Sequence, residues 1–510
     1  MLILKKRECI RKRSVVCRLA RIALIVVLFI SILLTIALLA YISRFIIAEK
    51  TWQYMGRFSN YPPRNEVRLD STNLPILFVS APMISKDDYV ETYMTIVYNG
   101  EGKWNYADTV SHQGQNIDYQ GSCLLKYRGH SSYTDADKKS YSLRTMNCSL
   151  DNGGRKKGVS LLGLEKDSKY VLKANYLDRS MLRETLTFEL ARKYLDYVPS
   201  MRYCEMILNG KYYGLYVLME QPTRKRLGIR KKTGSLLYFV RPKESDETIE
   251  IITASKDTLE FSYEMKYPKY MELDEQSKKK INEKLKSMVN AFDGYSSFKN
   301  KCIDEMSFID YQLSTEFSHN IDGYWFSAYV YDQGESTSRF KMTLWDVDHS
   351  FGIDSDFSFG NYDNFVYCDL LPYNPGFPKP WWQQIQLRKS SSYRQQLSNR
   401  SPKKWWEKMM QDSVYREKLS NRWKQCRNEY YSVDSIVQIV DSLADLMTVG
   451  GAMNRNTRAW ETWGNSDPLY LNNVKYHSDS FQDEVQYIKE WIDKRLIWMD
   501  KQLFKVKQGN

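Results

Sequence analysis

No Cys-x-x-Cys pair occurs among the eight cysteines, and no Cys/His group has zinc-ligand spacing, so a structural zinc module is excluded. Walker A, GxGxxG, GxSxG and HExxH segments are absent as well, which removes the P-loop, dinucleotide-binding, α/β-hydrolase and zincin classes. Neither an internal repeat nor a low-complexity tract is present. What remains is a chain of 510 residues, 43% hydrophobic and 14% aromatic, long enough for two or three packed units and too apolar to be disordered.

Its net charge of +13 invites a nucleic-acid reading, but the distribution argues against one. Eight Lys or Arg against Glu8 give residues 1–21 a charge of +7, more than half of the total. Directly after this basic head comes Ile22 to Ser43, an uncharged run of 22 residues, long enough to cross a bilayer core of roughly 30 Å as one helix. The positive-inside rule puts the head in the cytoplasm and the body outside, a single-pass topology. A cleaved signal peptide fits less well, because the run exceeds the usual apolar region of about 7–15 residues and Ala37 to Ala40 has the wrong spacing for cleavage. Residues 44–70 read as a stalk. Of the six cysteines beyond the head, Cys123 and Cys148 are the best placed to pair in an oxidising compartment, with buried free thiols the equal alternative.

Alternating or apolar runs at Ile76–Ser80, Thr92–Tyr98, Ser122–Arg128, Ser140–Met146, Tyr170–Ala174, Arg202–Leu208 and Tyr212–Met219 predict a mostly antiparallel sheet, with Asn209-Gly210 a two-residue hairpin turn. One helix interrupts them, Met181–Asp196, with Leu182, Leu186, Leu190 and Tyr194 as its core stripe. From Leu273 the texture turns helical, with stripes through Ile281–Phe292, Ile436–Met447 and Val485–Leu503. The expectation is an α+β fold: a sheet-rich lobe over 71–272 and a mainly helical lobe over 273–510. The basic run Arg224–Lys232 reads as a solvated loop before it reads as a polyanion site.

Two acidic clusters stand near the junction of the lobes. Asp322 lies on a turn leading into a hairpin (Phe326–Tyr331, a turn over Asp332–Ser338, then Lys341 onward), and Asp346 and Asp348 follow on its second strand. Two apart on a strand, those two carboxylates would share a face and reach one cation. Such a trio suits a divalent metal held with phosphate oxygens, or a general base beside one; turn and capping hydrogen bonds are the plainer alternative. The first lobe supplies cations at Lys126-Tyr127-Arg128-Gly129 and Lys138-Lys139-Ser140. If these are paired strands, Arg128 and Lys139 point to a common cleft suited to phosphate, the alternative being plain surface. The same two readings apply to Lys173 with Asn175, and to Glu220.

In order along the chain, Tyr127-Arg128-Gly129-His130-Ser131-Ser132, Lys138-Lys139-Ser140-Tyr141, Leu161-Leu162-Gly163-Leu164, Asp178 through Arg183, Leu208 through Tyr216, Asn320-Ile321-Asp322-Gly323 and Trp345 through Gly352 resemble the CotH-like kinase family. The likeness runs from about Leu74 to about Phe504. It implies an atypical protein-kinase-like two-lobe fold that transfers phosphate from ATP to a protein Ser or Thr with Mg²⁺ or Mn²⁺. By position it implies Asp322 as the residue accepting the substrate proton, Asp346 as the metal-binding aspartate with Asp348 beside it, and Arg128 and Lys139 on phosphates. Phe340 stands where an aromatic packs on adenine, with core packing equally compatible. The chain departs from the family at His130 and Leu344, and at Ser327, which occupies the place five after Asp322 where a kinase catalytic loop carries a metal-binding Asn.

Three functional readings follow: a membrane-anchored extracytoplasmic kinase acting on a protein substrate, a catalytically weak pseudokinase-like surface scaffold, and a metal-dependent phosphoester or glycan enzyme. Nucleic acid is not an expected partner.

Overall fold

The computed structural model describes residue 35 and, between 61 and 504, residues 61–129, 131–134, 136–175, 177–239, 248–251, 261–292, 295–297, 301–325, 327–335, 337–355, 362–368, 402–463, 474–475 and 478–504. Residues 61–84 and 88–510 form one compact unit; residues 1–60 with 85–87 form another. The apolar run Ile22–Ser43 lies outside the described residues, save Thr35. Among the described residues no single helix is long and apolar enough to cross a membrane.

The chain is α+β. Seven strands close into a barrel: β1 (Ile76–Ser80), β2 (Val90–Val97), β3 (Ile117–Arg128), β4 (Ser140–Thr145), β5 (Lys169–Lys173), β6 (Met201–Leu208) and β7 (Lys211–Glu220), in the order β1-β2-β3-β4-β5-β7-β6. These are the strands expected from alternation. Their closure comes from the parallel pairing of β1 with β6, Ile76 opposite Glu205, which no local pattern announces. Period-2 alternation then sorts each strand between two cores. On β7, Tyr212, Tyr216 and Leu218 fill the barrel, whereas Leu215, Val217 and Met219 join the second, larger core outside it. Asn209 and Gly210 both take positive φ (52° and 77°) in the β6–β7 turn, the conformation that makes Asn-Gly the preferred pair there.

A second sheet of five strands contains β8 (Ser235–Phe239), β9 (Thr248–Ile251), β10 (Phe261–Tyr267), β11 (Ala328–Asp332) and β12 (Lys341–Leu344), ordered β9-β10-β8-β11-β12. The acidic hairpin is thus the edge of a sheet, β11 pairing with β8. Among the described residues, besides the single turn of helix Ser131–Thr134, stand eight longer helices: α1 (Arg183–Ala191), α2 (Glu275–Asn290), α3 (Glu305–Ser318), α4 (Lys403–Met409), α5 (Ser413–Glu429), α6 (Val433–Thr448), α7 (Ala452–Trp460) and α8 (Phe481–Leu503). Asp274, Asp304, Asp412, Ser432 and Ser480 each cap a helix by accepting a backbone N–H three residues on. The stripe Val485, Ile488, Ile492, Leu496, Met499 and Leu503 is buried as expected.

Two expectations need correction, and the cysteines, left open between pairing and free thiols, are decided. Residues 61–70 are body rather than stalk, since Val67 and Leu69 belong to the barrel core and Asn65 N donates to Ala459 O (3.1 Å). Cys123 and Cys148 are free thiols; Cys123 is buried beside Thr92 Oγ1 (2.9 Å). In the basic run, Arg226 is no solvated residue: buried over the Tyr170 ring, it donates to the carbonyls of Lys169, Gln221 and Glu165.

One buried cation ties barrel to helix. Lys138 Nζ donates to Leu215 O, to Asn456 Oδ1 of α7 (2.9 Å) and to Ala174 O (3.4 Å), all of them neutral acceptors. Burial pushes its pKa down to about 7. An unfolded lysine keeps its proton to about pH 10.4, so between pH 7 and 10 the unfolded chain binds more protons than the folded one. Stability contributed by this group therefore rises with pH across that window. Urea midpoints of wild type and Lys138→Met between pH 7 and 9.5 check this: the wild-type rise should be largely absent in the variant.

Candidate functional site

On β5, Tyr170 and Leu172 point into the barrel, which leaves Lys173 on the outer face, 7% exposed. There it meets α1. The turn before α1 is built by Asp178, whose carboxylate accepts from Ser180 N (3.1 Å), Ser180 Oγ (2.6 Å) and Arg183 N (2.9 Å) and so satisfies donors at the helix start. Glu184 follows in the first helical turn, where a carboxylate is favoured by the helix dipole. Its side chain is fully buried, with Oε2 2.8 Å from Lys173 Nζ.

The third element is the loop after β12. That strand ends at Leu344, so Asp346 and Asp348 do not alternate on a strand as the spacing suggested; the loop brings them together instead. Asp346 takes φ 56°, a left-handed conformation that Asp tolerates better than most residues. Its Oδ1 lies 2.7 Å from Lys173 Nζ, and Asp348 Oδ2 lies 3.7 Å away. Val347 N, between them, donates to Glu184 Oε1 (3.3 Å). The loop is fixed from behind by Arg183, which donates to Ser350 O (2.9 Å).

One ammonium thus faces three carboxylates. Burial pushes Glu184 up to about 7; Lys173 opposes that rise, and Asp348 and Asp346 add to it. For Lys173, burial favours loss of the proton, but Asp346, Asp348 and Glu184 together outweigh it and hold the ammonium above its ordinary range. Asp346 is held below the usual carboxylate range: burial works the other way, and Lys173 and Arg128 override it. Asp346 is also the most open member, its side chain 39% exposed, against 21% for Asp348.

The other expected site residues divide. Arg128, at the end of β3, stacks over the Trp345 ring (5.2 Å), and its buried Nη1 has no hydrogen-bond partner. Asp322 is half-buried on the turn over residues 321–325, and Ile321 N donates to His349 O (3.4 Å), so this turn lies against the Asp348 loop. Ser327 takes φ 57° and lies near Tyr238, which is itself close enough to Asp346 to feel its charge. Lys139 does not join Arg128. Ser140 is the residue opposite Arg128, so Lys139 falls on the other face and spends its ammonium on Tyr133 O (2.6 Å) and Ala136 O. Phe340 is core, 2% exposed, its backbone paired with Cys302 and Asp304. Glu220 accepts Glu165 N and Ser200 N, a structural role. Asn175 is buried with φ 45°.

Among the described residues no group of three or more His, Cys, Asp and Glu side chains is arranged to hold a metal. The trio expected of Asp322, Asp346 and Asp348 is therefore a pair on Lys173 with Asp322 on the adjoining turn. Sequence reasoning left Lys173 open between site and surface, and it passed over Glu184. The available signal was an acid inside an apolar helix directly after the Asp178–Arg183 motif. A recess of about 670 Å³ by Phe78, Tyr93, Ile207 and Tyr212 shares no residue with this cluster.

A barrel strand lysine paired to a helix glutamate and faced by an Asp-x-Asp loop defines an α+β protein with a charged centre where barrel strand, helix and loop meet. The chain matches the family described as CotH kinase protein over residues 125–499, and it belongs to that family. It is 24% identical over 232 residues to inner spore coat protein H of Bacillus subtilis (strain 168), a match covering 45% of this chain and 59% of that protein. The match thus spans less than two thirds of the curated relative's length.

Proposed function

We propose that this chain is a metal-dependent protein kinase of two-lobe, kinase-like design, transferring the γ-phosphoryl group of ATP to a Ser or Thr hydroxyl of another protein, with its body held outside a membrane by residues 22–43. The observation that carries the reading is the Lys173–Glu184 ion pair facing Asp346. Protein kinases need a strand lysine paired to a helix glutamate, and a metal-binding aspartate, in place together. Lys173 with Glu184, and Asp346 beside them, match that arrangement.

The residues fit the groups the reaction requires. Three carboxylates against one ammonium leave the cluster short of positive charge, and the partly exposed pair Asp346 and Asp348 would hold Mg²⁺ or Mn²⁺, which supplies charge neutralisation for phosphate oxygens. Arg128 Nη1, buried and unpartnered, fits a phosphate oxygen. In the reaction the acceptor oxygen bonds to the γ-phosphorus as the bond to the β–γ bridging oxygen breaks. ADP leaves, and Asp322 takes the hydroxyl proton. Lys173 and Arg128 stay fixed against the charge that develops, so catalysis comes from positioning.

Ser327 favours a second reading, a surface scaffold with little turnover. Its hydroxyl is shorter than the amide that ligates a second metal in kinases. Labelling of the full chain and added acceptor proteins from γ-labelled ATP, with Mg²⁺ and with Mn²⁺, decides between the two. Transfer is expected in wild type and lost in Asp322→Asn, while Ser327→Asn should raise labelling or lower the metal concentration it needs. Silence of wild type and Ser327→Asn with both metals, while nucleotide still binds, would leave the scaffold.

A further inference from the structure

The barrel face that carries Lys173 continues away from the charged centre as a ladder of cations. Register defines its rows. Across β3 and β4, Arg128 stands opposite Ser140, Lys126 opposite Ser142 and Leu124 opposite Arg144. Across β4 and β5, Ser142 stands opposite Val171 and Arg144 opposite Lys169. The alternate residues Tyr127, Leu125, Tyr141, Leu143, Tyr170 and Leu172 fill the barrel, so these rows share its outer face. The row at the centre holds Arg128 and Lys173. Four residues along each strand the third row holds Arg144 and Lys169, with Lys126 between.

This far row is built rather than scattered. Tyr89 presents its ring to both Lys126 Nζ (5.2 Å) and the Arg144 guanidinium (4.5 Å). Lys156 is brought in by the bridge between Met146 and Lys156. Arg144 Nε is buried without a hydrogen-bond partner. The cations repel one another: Arg144 is the leading cause of a lowered Lys156 pKa, and it adds to the effect of burial on Lys169, where Lys156 and Lys269 contribute too. Two acids stand nearby, both bound to backbone. Glu91, opposite Leu124, accepts Leu150 N with both oxygens (3.1 Å each), and Asp167 accepts Ser168 N and Lys169 N. The row is left with a surplus of positive charge and half-buried donors.

We propose that this row binds a side-chain anion of the acceptor peptide about four residues from the hydroxyl being phosphorylated, so that a segment already carrying phosphoserine is the preferred acceptor. The proposal rests on the kinase reading. An extended peptide advances about 3.3 Å per residue, so four residues cover the roughly 13 Å between the centre's row and the Arg144–Lys169 row. A carboxylate satisfies part of such a site; a phosphoserine brings a charge of about −1.5 to −2 and three acceptor oxygens suited to an arginine fork. Each transfer would convert a neutral hydroxyl into the anchor for the next, which favours acceptors with serines repeated at this spacing.

The test uses the full chain and three peptides that share one acceptor serine and differ four residues away on either side: phosphoserine, glutamate or alanine. Binding is read without nucleotide by fluorescence anisotropy, and transfer is read as KM for the same peptides. The phosphoserine peptide is expected to bind about tenfold tighter than the alanine peptide, the scale of one charge-assisted contact, with glutamate between them. That preference should shrink as salt rises. Arg144→Gln with Lys169→Gln should abolish the preference and leave alanine-peptide KM unchanged, and Lys126→Gln alone should weaken it. Equal binding of all three peptides overturns the proposal, as does a preference that survives in the double variant or that short polyphosphate of equal charge competes away completely. Preference in binding with no transfer would sink the kinase reading and leave this surface standing; transfer without preference would do the reverse.

Discussion

Lys173→Met is expected to reduce phosphoryl transfer by about a thousandfold, the upper range for losing one preorganised charge at a transition state. The side chain has no substitute: Arg128 stacks on Trp345, too committed to replace an ammonium 2.8 Å from Glu184 and 2.7 Å from Asp346. The same change leaves three carboxylates with one fewer cation in a largely buried place, so stability should fall by about 3–5 kcal/mol. Adding Glu184→Gln removes one of the stranded charges. The double variant Lys173→Met, Glu184→Gln should therefore recover much of the thermal midpoint and none of the activity. Thermal melting and γ-phosphate labelling on the three proteins check the two halves separately. Recovered activity in the double variant would mean that Lys173 serves the fold alone.

Most of the barrel could be read from the sequence because its signals are local. Each strand alternates toward one core, and Asn209-Gly210 closes a hairpin in the only backbone region that suits it. Closure of the sheet could not be read. It depends on Ile76 meeting Glu205 in parallel, a contact between residues more than a hundred positions apart. Helix α3 escaped for the opposite reason: Phe308, Asp310, Gln312, Thr315 and Glu316 are all buried, so no polar face marks its period. The second sheet was missed because its strands come from both sides of the supposed lobe boundary, β8 at Ser235 and β11 at Ala328.

At the site, motif spacing found Asp346 and Asp348 but misjudged how they meet. A strand was assumed, and a loop with a left-handed Asp346 does the work. Lys139 was placed beside Arg128 by assuming that the two cationic segments pair as strands, although the one-residue offset from Ser140 turns its side chain to the opposite face. Glu184 carries no spacing signal. Its importance depends on where α1 lies against β5, which is a tertiary fact.

Arg183→Met should be the most damaging single change outside the centre. The guanidinium, 1% exposed, donates to Asp178 Oδ1 (2.8 Å), Glu484 Oε1 (2.5 Å) and Ser350 O (2.9 Å). It therefore joins the start of α1, the first turn of α8 and the loop that carries Asp346. Methionine fills similar volume but strands two buried carboxylates and an open carbonyl, a loss of about 3–5 kcal/mol. That corresponds to a drop of about 3–5 °C in thermal midpoint for a body of this size. Arg183→Lys should recover little, since one ammonium cannot reproduce a fork that reaches three elements. Arg183→Met combined with Asp178→Asn and Glu484→Gln removes the stranded charges and should restore most of the midpoint. Transfer should stay low in that triple variant, because the Ser350 carbonyl remains unheld and the Asp346 loop with it. Full recovery of turnover would show that the loop keeps its place without Arg183.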